Sequence, residues 1–250
     1  MGNETNPLVT VFIMIYNNVD ALEETVASVM MQDYADMEVI LSDDGSTKYD
    51  TDILREYEKR LKTVFKNVKI HLCGENIGTV RHLNRIIGIA SGKYLFSCSC
   101  GDCFARKDTV SSLVAQMEKK NALILTTRRI DRYPDRDKTR PARWVGWALD
   151  LCPERLCDHM INKRNLLSGC CTFYTKELFD KYGLFDERYR LVEDYPYYIS
   201  LLKKGVKIPH HDMITVVHRM SGGVSTGNVH PQVWKDIENL KETWGKDAAN

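Results

Sequence analysis

The sequence contains no apolar run approaching the roughly 18 to 20 residues that cross a bilayer, so no spanning helix is expected in its 250 residues. Nor is there an excess of either charge. The 35 Lys and Arg are matched by 34 Asp and Glu, a net charge of +1, which leaves no bulk attraction for nucleic acid or membrane. No nucleic-acid partner is expected. The opening MGNETNPLVTVF carries neither a basic stretch nor a long apolar one, so it does not read as a secretion signal. Asn6 stands where a myristoylation signal at Gly2 needs Ser or Thr. A cytoplasmic location is therefore expected. A second cysteine pair is also missing. Cys98, Cys100 and Cys103 lie close together, but structural zinc wants a fourth ligand in paired spacing, and Cys73, Cys152, Cys157, Cys170 and Cys171 offer no such pair. The eight cysteines are expected to be reduced thiols, buried as small apolar residues.

What is present suits one large α/β domain: 43% hydrophobic and 28% charged residues, enough for a packed core. The β-branched and aromatic run VTVFIMI at 9–15 predicts a buried strand ending at Tyr16-Asn17-Asn18. Leu22, Val26, Val29 and Met30 then recur at helical spacing behind Glu23 and Glu24, predicting a helix over 21–32 with Asp20 as N-cap. Strands at 37–41 and 68–72, helices at 53–65 and 76–90, and a strand at Tyr94 continue the alternation. Such repetition predicts a Rossmann-like, mostly parallel sheet with helices on both faces. Beyond it, a helix at 110–119 and a strand at 122–126 lead into an Arg- and Asp-rich stretch, 128–143, that reads as a long polar connection. Helices at 173–182, 192–204 and 232–244, short strands at 206–208 and 214–217, and a loop at 218–223 complete the pattern.

The stretch GKYLFSCSCGDCF at 92–104 runs from a buried strand into small polar residues and one acid, Asp102. Ligands of open α/β sheets collect where strands end, and a carboxylate there suits a hard cation against a phosphate. Three other islands lie at strand or helix ends: Tyr16-Asn17, Ser42-Asp43-Asp44-Gly45-Ser46 and Glu193-Asp194. Gln32-Asp33-Tyr34, Asn76-x-Gly78 with Asn84, Ala90-x-Gly92-Lys93-Tyr94, Gly183-x-Phe185-Asp186-Glu187, and Arg219 ahead of Gly222-Gly223-x-Ser225 complete an ordered series. Taken together, over nearly the whole chain, the series resembles family 2 of the inverting glycosyltransferases, of bacterial polysaccharide type and with the GT-A fold.

The resemblance implies an enzyme that moves a hexose from a nucleotide sugar, UDP first, to a hydroxyl of a glycan or lipid-linked glycan in surface polysaccharide synthesis. It implies that Asp44, with Asp43 close by, accepts the uracil imide N–H while Tyr16 lies along the base. Asn17, Asn76, Gly78 and Arg81 would complete the nucleotide site, and His218 and Arg219 the diphosphate site. Asp194 would be the base, supported by Glu193. Residues 1–126 would bind the donor, 127–231 the acceptor, and 232–250 form a C-terminal helix. Two departures stand out. Ser99-Cys100-Gly101-Asp102 keeps one carboxylate of the usual Asp-x-Asp, so Mn²⁺ or Mg²⁺ would rest on Asp102 and diphosphate oxygens. Leu83 replaces the common Arg before Asn84. The alternative is a weakened member acting as a carbohydrate-binding or scaffold module. Finally, the arginines of 128–143 beside Trp144 and Trp147 suggest a peripheral contact with an anionic membrane face, against a rival reading in which they pair with Asp131, Asp135 and Asp137 in a closed lid.

Overall fold

The structure is a computed structural model that describes residues 6–220 and 229–245. Gly222, Gly223 and Ser225 lie outside the described residues. The first half alternates as expected: β1 (Val9–Ile15), α1 (Leu22–Met30), β2 (Met37–Asp43), α2 (Ile53–Leu61), β3 (Asn67–Leu72), α3 (Thr79–Ile89) and β4 (Tyr94–Ser99). Then come β5 (Cys103–Phe104), α4 (Thr109–Lys120), β6 (Ile124–Arg132), β7 (Asp137–Arg140), α5 (Arg143–Leu151) and α6 (Pro153–Asn162). The chain closes with β8 (Thr172–Thr175), α7 (Lys176–Tyr182), α8 (Asp194–Lys203), β9 (His210–Arg219) and α9 (Pro231–Trp244).

The strands form one sheet in the order β3-β2-β1-β4-β8-β6-β9-β5, with β7 paired to β6. The first four strands are mutually parallel. β1 is apolar almost throughout because helices cover both faces, so the polar alternation of a half-exposed strand is absent. Register matters for the site. Ile15 lies opposite Asp43, and Met14 opposite Ser99, so β1, β2 and β4 end level with one another. β8 runs antiparallel to both β4 and β6, which brings the turn before it to that same edge. β6 and β9 are parallel, with Asp131 opposite His218, and they end there too.

Four local expectations are corrected. Asp20 is not an N-cap; it sits in a 3-10 turn, Val19–Ala21, and Ala21 precedes α1 without a side-chain cap. The 128–143 stretch is no open connection but the second half of β6, the β7 hairpin and the start of α5. Arg–Asp pairing replaces the missing hydrophobic period: Asp131 of β6 meets Arg129 of the same strand and Arg140 of β7, while Asp212 of β9 meets Arg128 of β6 and Arg143 of α5. Thr172-Phe173-Tyr174-Thr175, wholly buried, is a strand rather than a helix start, and the Thr175 hydroxyl accepts the Leu178 N–H to open α7. No strand forms at 206–208; a single strand, β9, runs through 210–219. Aromatic residues from this half pack together, with the Phe185 and Tyr197 ring centroids 4.9 Å apart, an edge-to-face contact of the favourable kind.

Candidate active site

At the end of β2 the two acids are engaged by different partners. Asp43 accepts the Ser46 N–H at 2.8 Å and the Ser46 and Tyr49 hydroxyls at 2.5 Å each. Asp44 accepts the Ile77 N–H on Oδ1 at 3.0 Å, and the Gly78 N–H and Asn76 Nδ2 on Oδ2 at 3.1 and 3.0 Å. Burial raises the Asp44 carboxyl above its ordinary value, against the two backbone donors that lower it. The glycines make this interlock possible. A Cβ on Gly45, at φ +69, would stand 2.3 Å from the Glu75 carbonyl carbon, and one on Gly78, at φ +87, would meet Arg190 Cγ at 2.7 Å. Arg190 in turn donates to the Asn76 side chain at 2.8 Å. Asn17, at φ 54, ties β1 to this loop, accepting the Thr47 and Lys48 N–H groups at 2.9 and 3.0 Å. Of the expected nucleotide residues, Asp43 lines a cleft with Gly45, Ser46, Thr47 and Cys73; Asp44, Asn76 and Gly78 form the interlock behind it, and the Tyr16 ring is exposed beside Asn17. Arg81 is the exception. It stands exposed on α3 and pairs with Glu187 at 3.3 Å.

Asp102 follows β4, held by α1: the Thr25 hydroxyl donates to the Asp102 carbonyl at 2.8 Å and accepts the Gly101 N–H at 2.9 Å. His218 Nδ1 donates to Asp102 Oδ1 at 2.7 Å, and the Arg219 N–H lies 3.4 Å from the same oxygen. Burial alone would lower the His218 ring, but the hydrogen bond and charge of Asp102 raise it above its ordinary value. Asp102 Oδ2 is buried with no partner among the described residues. An orphaned carboxylate oxygen beside an imidazole is a fitting place for a cation.

Glu193 and Asp194 precede and open α8. Asp194 Oδ2 accepts the Gly169 N–H at 2.8 Å, with Asn165 Nδ2 at 3.4 Å. Glu193 lines a cavity with Met14, Ser97, Ser99, Gly169 and Cys170. Leu83 lines it as well, on the side where the common Arg is absent. Burial, then the charge of Asp194, pushes Glu193 up to about 8. Burial also raises Asp194, opposed by the Gly169 and Tyr195 amides, Arg129 and Asn165. Both carboxyls are thus raised by burial, Glu193 with the charge of Asp194 added, while the donors to Asp194 oppose its rise.

Sequence reasoning missed three contributors. Asp236 of α9 is buried and accepts the N–H groups of Arg190, Leu191 and Val192 at 3.0, 2.7 and 3.1 Å, fixing the approach to Glu193. Its signal was an acid on the apolar face between Val233 and Leu240. Gly169 leaves room for the pair, since a Cβ there would stand 2.9 Å from Glu193 Oε1. Arg129, held by Asp131, reaches Ser168 and Cys170.

The sequence matches the model of Glycosyl transferase family 2 over residues 10–183. It is 27% identical over 249 residues to TuaG of Bacillus subtilis strain 168, provisionally named a teichuronic acid biosynthesis glycosyltransferase, covering 95% of this chain and 92% of that one. It is 23% identical to the Escherichia coli UDP-Glc:alpha-D-GlcNAc-diphosphoundecaprenol beta-1,3-glucosyltransferase WfaP, covering 94% and 86%. Among solved structures, Staphylococcus aureus TarS 1–349 in complex with UDP-GlcNAc superposes with a TM-score of 0.71 at 17% identity, over 94% of this chain and 66% of that one. The mannosyltransferase PcManGT of Pyrobaculum calidifontis, in complex with GDP-Man and Mn²⁺, gives 0.65 at 15% identity, over 99% and 66%. This chain thus spans about two thirds of either structure. Matched over more than half its length, it belongs to glycosyl transferase family 2 and is a glycosyltransferase of the GT-A fold.

Proposed function

We propose that this chain transfers a hexose from a UDP-sugar, with inversion, to a hydroxyl of a glycan or lipid-linked glycan in surface polysaccharide synthesis. One observation carries the reading: the interlocked Asp43–Asp44 loop, Asp102 with His218, and the Glu193–Asp194 pair all stand at one edge of the sheet. A nucleotide, its diphosphate and an acceptor hydroxyl need those three stations in that order. Asp44 keeps an acceptor position on Oδ1, where only Ile77 donates among the described residues, and it takes the uracil N–H there. Asp43 walls the cleft and Tyr16 offers its face to the base.

Asp194 takes the acceptor proton as the acceptor oxygen bonds to the anomeric carbon. The bond from that carbon to the diphosphate oxygen breaks at the same time, its electron pair leaving with the nucleoside diphosphate. One displacement inverts the centre. Glu193, protonated beside it, keeps a second negative charge away from the acceptor. Asp102 and His218 would hold a divalent cation, which supplies neutralisation of the leaving diphosphate. Arg219 adds positive charge nearby. A non-catalytic carbohydrate-binding role is not favoured, because the carboxyl pair is positioned from two separate segments: the loop before β8, through Asn165 and Gly169, and α9, through Asp236.

The lipid-linked acceptor brings α5 into the account. Trp144, Trp147 and Leu151 share one helix face and are 48%, 66% and 83% exposed, while Arg128, Arg129, Arg140 and Arg143 are paired with Asp212 or Asp131. The apolar stripe, rather than free arginines, is the surface we assign to a peripheral membrane contact. Melting the protein with a panel of nucleotide sugars tests the donor: UDP-sugars should raise Tm in a dose-dependent way. No shift with any nucleotide sugar, with divalent cation present, would contradict it.

A further inference from the structure

The Asp102 end of the site holds donor chemistry that linear spacing hid. One ligand atom each from Asp102, His218 and Cys170 lies within 4.8 Å of the other two. They come from the loop after β4, the end of β9 and the 3-10 turn Gly169–Cys171 before β8. Asp102, only 3% exposed, keeps Oδ2 without a partner among the described residues, a costly arrangement for an ionised oxygen unless a cation meets it. The Cys170 sulfur lies 3.2 Å from Arg129 Nη1, and that guanidinium is fixed by Asp131 at 2.6 Å. A positive group so placed favours the thiolate, the form that ligates metals.

Mg²⁺ prefers oxygen ligands and Mn²⁺ largely shares that preference, whereas thiolate and imidazole suit Zn²⁺ and Co²⁺. We propose that Cys170 is a ligand of the site's cation, together with Asp102 and His218, and that this donor set selects Zn²⁺ or Co²⁺ over Mg²⁺. The thiolate then replaces the carboxylate missing from Ser99-Cys100-Gly101-Asp102, supplied from the turn before β8. The proposal rests on the reading above, in which Asp102 faces the donor diphosphate. Binding at His218 Nδ1 requires that nitrogen free of its proton, so cation uptake and the Asp102–His218 hydrogen bond exclude each other.

The test is a Co²⁺ titration of the full chain, with and without UDP, followed by absorbance. A sulfur-to-cobalt charge-transfer band in the near ultraviolet is expected, removed by Zn²⁺ but not by excess Mg²⁺. Cys170→Ser should lose the band and bind Co²⁺ on the order of 10- to 100-fold more weakly or worse, with its near-ultraviolet circular dichroism unchanged. Cys170→Asp should restore cation binding without the band and shift preference toward Mn²⁺. Co²⁺ bound to wild type with no such band would overturn the proposal, as would a band that survives Cys170→Ser. Calorimetry with UDP reads the nucleotide site separately. UDP binding without the band defeats the Cys170 assignment alone, whereas the band with no UDP binding leaves Cys170 a ligand and defeats the nucleotide-sugar reading.

Discussion

Replacing Asp44 with Ala removes the acceptor of three donors at once: the Ile77 and Gly78 amides and the Asn76 side chain. The two backbone bonds are buried, and each amide left unsatisfied costs about 1 to 3 kcal/mol. The Asn76 Nδ2 group can turn to water, while its Oδ1 goes on accepting from Arg190. A total near 3 kcal/mol follows, taking the lower part of the range for both amides because such losses add imperfectly. For a chain of this size that is a fall in Tm of roughly 6 to 12 °C, by circular dichroism or calorimetry. Asp44→Asn keeps one acceptor oxygen but turns an NH₂ toward the other amide, so it should fall about half as far. UDP affinity should drop as well, by roughly 5- to 150-fold if a base N–H loses its acceptor, and equally for UDP and UDP-sugars. A fall in Tm under about 2 °C would refute the interlock. Unchanged UDP affinity would remove Asp44 from the base site.

Three further outcomes are expected. Glu193, raised to about 8 from 4.5, binds a proton in the native state that the unfolded chain has released, so its contribution is complete below the lower value and lost as pH rises through the upper one. Glu193→Gln should therefore gain Tm over wild type from about pH 5 to about pH 9, and a flat difference across that range would contradict the assignment. Asp236→Ala should cut turnover about tenfold or more through loss of positioning while UDP affinity stays within about twofold; equal losses in both would reduce Asp236 to a general stability role. Replacing Trp144 and Trp147 with Ser should abolish sedimentation with anionic liposomes at low salt, whereas Arg143→Glu should change it less because Asp212 already occupies that guanidinium. Wild type that never binds such vesicles would end the membrane reading.

The parallel half was legible because its strands are continuous apolar runs and its helices carry clean amphipathic spacing, so β1 to β4 fell within a few residues of expectation. The ends of those strands also announced the Asp43–Asp44 loop and Asp102. The 128–143 stretch misled because its order comes from Arg–Asp pairs, Arg140 with Asp131 across the β6–β7 hairpin and Arg128 with Asp212 from a different segment. Phe173 misled in a similar way, since the apolar run 172–175 is too short to separate strand from helix by period alone. Asp236, Gly169 and Cys170 stayed hidden for a common reason. Each acts on a residue far away in the chain, and no linear spacing encodes that meeting. Asn84 was quoted only as part of a pattern; its amide donates to the Phe185 carbonyl at 2.9 Å and accepts the Phe185 N–H at 3.1 Å, joining the two halves.

The most direct test of the central claim measures donor binding and turnover side by side in wild type, Asp194→Asn and Glu193→Gln, using the nucleotide sugar that the melting panel selects. Calorimetry reads binding, and release of the nucleoside diphosphate reads transfer. The account predicts that all three proteins bind donor within about threefold of one another, because the pair meets the acceptor rather than the nucleotide. Turnover should fall about 10²- to 10⁴-fold in Asp194→Asn and far less in Glu193→Gln, which mimics the protonated acid. Wild-type turnover in Asp194→Asn, or folded wild type that binds no nucleotide sugar, would contradict it.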